Sequence, residues 1–158
     1  MIAETLKAYS MMLQQMNKLI DDLPDERLAE QPHGAVNHAA WTMCHLVGTA
    51  QMIVTQMGGE AWLDEDWRQR YGGGSQPVND RAAYPSKQQM IDALADTERR
   101  IGERMNALGE EGLAQPPQGE RFRERFATVG QLAAYIVAAH TALHVGQVGV
   151  WKRVLMAA

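Results

Sequence analysis

The chain has 158 residues, about one domain's length, with 46% apolar and 22% charged residues, the proportions of an ordinary globular protein. Nineteen acidic residues against fifteen Lys and Arg leave a net charge of −4, a poor match to DNA phosphates or anionic lipid. A single cysteine, Cys44, excludes an internal disulfide and a Cys-rich zinc site, and fits a reducing compartment.

Segment 1–22 places Ile2, Leu6, Tyr9, Leu13, Met16 and Ile20 at helical steps of three and four. Glu4 and Lys7 interrupt its apolar pattern, and it lacks the features of a signal peptide, so the chain is read as cytoplasmic and this segment as part of the fold. No stretch approaches the ~18 uninterrupted apolar residues of a membrane span. Residues 23–36, with two prolines and a glycine, read as a connection, after which Asn37 is placed to cap a helix over 38–57. That helix is apolar on most sides and belongs deep in a bundle; Gly58-Gly59 ends it. Residues 60–85 hold two tryptophans and a Gly-Gly-Gly run, a connection long enough to carry local structure or function. Trp62, Trp67 and Tyr71 there have the apolar area to cover one end of a bundle or to line a pocket.

Ser86 opens a helix over 87–108, with Gln89 positioned for a capping box and Gly109 as its C-terminal cap. Residues 109–127 are polar. Thr128 caps a last helix running to about residue 155. Four helices, no convincing strand and long crossovers predict a single all-α domain over 1–158, a four-helix bundle.

The histidines carry the chemistry. His140 and His144 are spaced i, i+4 on the last helix, which sets both imidazoles on one face, a turn apart, in reach of one metal ion. That helix is apolar nearly all round, and two buried imidazoles need partners, which a metal supplies at once. Packing the two most apolar helices together brings His45 opposite the pair. His38 competes for the same role but lies two turns away at the helix start, where a solvated or capping histidine is the plainer reading. Imidazoles alone do not choose among zinc, nickel, copper and iron. The only Glu-x-x-His, Glu30 to His33, contains Pro32, so di-iron chemistry is set aside. Gln147 lies on the same stripe as the pair, placed to orient a bound water or a ligand histidine. Cys44 reads as a small core residue. The run Arg121, Arg123, Arg125, interleaved with Phe122 and Phe126, is too short to argue for nucleic acid; a solvated loop is its default reading, and an anion site for a carboxylate-bearing substrate or thiol cofactor is the more economical functional one.

NHAAWTMCHLVG in the second helix and HTALHVGQVGVWKRVL in the last resemble the DinB-like family, also called DinB/YfiT-like. The resemblance implies a DinB/YfiT-like bundle in which His45, His140 and His144 bind one divalent transition metal, zinc or nickel foremost. It further implies a thiol-dependent transferase, since characterised relatives use low-molecular-weight thiols such as bacillithiol, mycothiol or glutathione against small electrophilic substrates. Relatives are commonly homodimers, and the outer faces of the first and third helices are candidate contacts. The alternative is a non-catalytic dimeric bundle, a binding or stress-response module whose metal is structural or adventitious.

Overall fold

A computed structural model describes residues 2–34 and 37–158. Met1, Ala35 and Val36, which fall in the expected first helix and the connection after it, lie outside the described residues. The secondary structure of the described residues is helical, and no helix among them is long and apolar enough to cross a membrane.

The long elements are α1 (Ile2–Ile20), α2 (Ala39–Gln56), α4 (Lys87–Leu113) and a last rod built from α6 (Val129–Ala134), a π-helical turn (Tyr135–His140) and α7 (Thr141–Ala157). α3 (Glu65–Tyr71) and α5 (Glu120–Arg123) are short helices within the crossovers. α1 packs on α4 and on α7; α2 packs on α4 and on the last rod. The four rods therefore form a ring in the order α1, α4, α2, last rod.

Each rod buries the stripe its periodicity predicts. α1 buries Tyr9, Leu13, Met16 and Ile20, while Ile2 and Leu6 are only partly covered near its start. Tyr9 also reaches across to Thr97 of α4 through a 2.7 Å hydroxyl–hydroxyl hydrogen bond. α2 is buried continuously from Ala39 to Val47, as expected of a helix apolar on most sides. Its cap differs from expectation. His38 rather than Asn37 takes the N-cap position, its Nδ1 accepting from Trp41 N at 3.3 Å, while Asn37 donates to Gln147 Oε1. An imidazole at this position can reach both the helix start and the loop beyond it, which the shorter amide cannot.

The capping box of α4 forms as read: Gln89 N donates to Ser86 Oγ, and Ser86 N to Gln89 Oε1. Gly109 breaks α4 with φ +61° and ψ −170°, after which one further turn runs to Leu113. That backbone region is essentially reserved for glycine, and a Cβ there would touch nothing. Gly109→Ala is thus expected to cost about 2 kcal/mol through backbone strain alone, lowering the thermal midpoint by roughly 6 °C. An unchanged midpoint in a calorimetric scan would show that this turn is not needed.

The long crossovers are structured and tied down. Arg81 binds Asp25 at 2.6 Å and also donates to the Asp25, Tyr84 and Pro85 carbonyls, fastening the 60–85 segment to the turn after α1. Trp151, buried in α7, donates its indole N–H to Glu30 O at 2.8 Å and fixes the same turn to the last rod.

Candidate metal centre

α2 and the last rod are adjacent in the ring, so His45 near the middle of α2 meets His140 and His144 where the π turn passes into α7. The last rod is not the uninterrupted α-helix expected from residue 128 to 155. Thr128 does cap it, accepting from Gln131 N at 3.1 Å, but the backbone widens to π geometry over Tyr135–His140. The buried Thr141 hydroxyl donates to Ile136 O, five residues back, at 2.9 Å, giving the widened turn a partner for that carbonyl. π turns are rare and concentrate at functional sites; this one ends on His140.

The three imidazoles converge. One nitrogen from each lies within 4.8 Å of the other two, and ring centroids are 4.5 to 5.4 Å apart. His45 Nδ1 lies 2.8 Å from Tyr71 O. As the donor to that carbonyl, Nδ1 keeps the proton, so Nε2 presents its lone pair to the cluster, the arrangement that orients metal-binding histidines. His45 Nε2 and His140 Nε2 face one another at 3.5 Å, close to the ~3.4 Å between two ligands of one tetrahedral ion with bonds near 2.1 Å. Trp41 stacks on the His45 ring at 4.7 Å and 9°, and its indole N–H is held by Ser75 Oγ. The His45 imidazole is thereby fixed in both plane and rotation.

Burial sets the charge state. It depresses the pKa of all three histidines; for His140 and His144, with their histidine neighbours adding to the effect, to about 4. At neutral pH the cluster therefore offers neutral rings with no proton to displace, which is the form a metal requires. The Nδ1 atoms of His140 and His144 are buried without a hydrogen-bond partner. Unpaired buried polar atoms are uncommon and costly. Three neutral imidazoles with converging nitrogens fit a divalent ion, and a three-histidine set leaves positions open for an exchangeable ligand.

The cluster opens on one side into a cavity of about 400 Å³ lined by His45 and His140, by Trp67 of α3 and Phe122 of α5, and by Arg68 and Arg121. Trp67 is thus a wall, its indole N–H fixed on Cys44 O at 3.0 Å. Tyr71 is not: its ring is buried, its hydroxyl donates to Ala83 O, and its contribution is the carbonyl that orients His45. Trp62 lies outside the lining, beneath the Arg100 guanidinium at 4.6 Å. Gln147 is half-buried, three residues beyond His144 on α7, and accepts from Asn37. It does not line the cavity. Cys44 is turned into the core; burial pushes its thiol up to about 12, which makes it inert as a nucleophile.

Neither the Tyr71 carbonyl nor the π turn has a sequence signal that isolated it. Gly72 does carry one in retrospect. Its N–H closes α3 onto Arg68 O at 2.9 Å, and a Cβ there would collide with that carbonyl. Gly72→Ala must therefore displace the backbone beside the Tyr71 carbonyl, loosening His45. The expected result is metal affinity reduced roughly 10-fold, the scale of a lost orienting partner, with helix content by circular dichroism unchanged; unaltered affinity would remove Tyr71 O from the site.

The profile of the DinB superfamily matches residues 8–148, which takes in all three histidines. No curated protein and no solved structure matches the chain.

Proposed function

The chain belongs to the DinB superfamily, and from that premise we propose that it is a metal-dependent enzyme of the thiol S-transferase type, acting on a small electrophilic substrate. The observation that carries this reading is the convergence of His45, His140 and His144, the first two of which line a cavity. A divalent ion held there, zinc or nickel, supplies the Lewis acidity that turns a thiol into a thiolate near neutral pH. The protein's own part is positioning. Tyr71 O and Trp41 hold His45, Trp67 and Phe122 give the reacting molecules an apolar wall that restricts water, and Gln147, one turn along α7, is proposed to orient His144. No carboxylate lines the cavity among the described residues, so a thiol proton must pass to solvent or to the substrate.

The test is spectroscopic. Cobalt-substituted protein titrated with glutathione, bacillithiol and mycothiol should develop a sulfur-to-metal charge-transfer band with at least one of them, and the same thiol should then support conjugation of a small electrophile. Cobalt binding with no change on addition of any of the three thiols would overturn the thiol-dependent reading.

The proposal includes a cytoplasmic homodimer without a nucleic-acid role. Of the two faces named from sequence, α1 exposes Met11, whereas the outer side of α4 carries the Asp96–Arg99–Glu103 ion pairs. A better apolar face lies on α7, where Leu143 and Val150 are exposed and a Cβ on Gly146 would meet nothing. Leu143→Glu is expected to shift a dimer to monomer in light scattering, with metal content unchanged. A dimer that persists would place the contact elsewhere.

A further inference from the structure

We infer that the cavity takes a carboxylate-bearing small molecule, and that Arg121 is its anion anchor. This rests on the metal reading above and goes beyond it by naming the class of ligand. The chain is acidic overall, yet among the described residues lining the cavity there are two arginines and no aspartate or glutamate. The two arginines are not equivalent. Arg68 is spent on Glu65, with contacts of 2.6 and 3.1 Å. Arg121 has neither an ion pair nor a side-chain hydrogen bond among the described residues; its guanidinium lies over the Phe122 ring at 4.6 Å, and its N–H donors are unpaired.

The rest of the basic run is arranged differently. Arg123 is tied to its own loop through Pro117 O and Gln118 O, and Arg125 sits over Phe126, so the run does not form one continuous basic strip. Of this run Arg121 alone lines the cavity, and a guanidinium fork binds a carboxylate through two parallel hydrogen bonds. His140 and Arg121 both line a space of about 400 Å³, the size of a small-molecule site. A ligand whose carboxylate meets Arg121 would have its other end directed to the three histidines.

The experiment uses two probe series on cobalt-loaded protein: dicarboxylic acid monohydroxamates of increasing chain length, and alkyl hydroxamates of matching length. The hydroxamate reports on the metal through the visible spectrum, independently of any thiol. At one chain length the acid-bearing probe should bind about 10-fold tighter than its alkyl counterpart. Arg121→Gln should erase that preference and leave alkyl hydroxamate binding unchanged, and Arg121→Lys should keep part of it. Equal affinity at every length, or a preference that survives Arg121→Gln, overturns the anion site while leaving the metal reading intact. If cobalt does not load, the metal reading falls instead, and the anion site is decided on metal-free protein. There, glutarate but not glutaramide should slow phenylglyoxal modification of Arg121, followed by peptide mapping; absence of that protection overturns it.

Discussion

His140→Ala, purified without an affinity tag, is expected to lose metal affinity by more than about 100-fold, since loss of a mere orienting partner already costs 10- to 100-fold. His45→Ala and His144→Ala should behave alike, because one nitrogen from each completes the same cluster. The sharper expectation concerns stability. In chelator-treated protein, His140→Ala removes a depressed-pKa imidazole and a buried Nδ1 that has no partner, so its cost should stay near or below about 1 kcal/mol despite the lost side chain. On adding zinc, the wild type should gain stability by mass action, about 2.7 kcal/mol at a hundredfold excess over Kd, and the variant should not. Differential scanning calorimetry with and without zinc measures both. Equal zinc stabilisation of wild type and all three variants would mean that the ion sits elsewhere.

The triad was legible because its chemistry is local in the sequence. His140 and His144 declare a shared face by spacing, and His45 lies on the other strongly apolar helix, so packing the two most buried rods against each other was enough to join them. The bundle was legible for the same reason: the steps in α1, the Ser86–Gln89 box and Gly109 each act within a few residues. What the sequence left dark acts across the chain or through the backbone. The carbonyl that fixes His45 comes from Tyr71, 26 residues on, and any residue type could have supplied it. The π turn needs a crowded junction between helices, not a particular residue, so periodicity passed over it. Trp62 and Trp67 looked equivalent as aromatic side chains; only the placement of α3 against α2 puts Trp67 beside the histidines and Trp62 under Arg100. The arginine run failed as a unit for a similar reason: Arg121 and Arg123 stand two residues apart on helix α5 and so point different ways, and Arg125 lies beyond its end.

His38 shows how a residue left with a plain reading turns out to bear on stability, and it carries the second large effect. Its ring is wholly buried, not solvated. Nδ1 accepts the α2 cap bond from Trp41 N, so the proton is on Nε2, which donates to Val78 O at 3.1 Å. Tyr84 packs edge-on against the ring at 5.1 Å and binds the same Val78 peptide through its hydroxyl. One imidazole therefore joins the start of α2 to the 60–85 crossover. His38→Ala should cost about 3 kcal/mol, from a lost cap of ~1 and a buried void of ~2. Burial, with Arg81 nearby adding repulsion, depresses the His38 pKa from 6.5 to about 4. The unfolded chain thus takes up this proton first, so the contribution of His38 is complete above pH 6.5 and declines as pH falls from there through about 4. Protonation would set an Nδ1–H against the Trp41 N–H and abolish the cap. His38→Asn keeps a cap acceptor and loses the titration. The stability gap between wild type and His38→Asn should accordingly narrow by about 2 kcal/mol between neutral pH and pH 4 in metal-free protein. The two proteins differ only at position 38, so contributions from elsewhere in the chain cancel from the comparison. Urea unfolding at a series of pH values reads the gap, and one that stays constant would mean that the cap does not depend on a neutral His38.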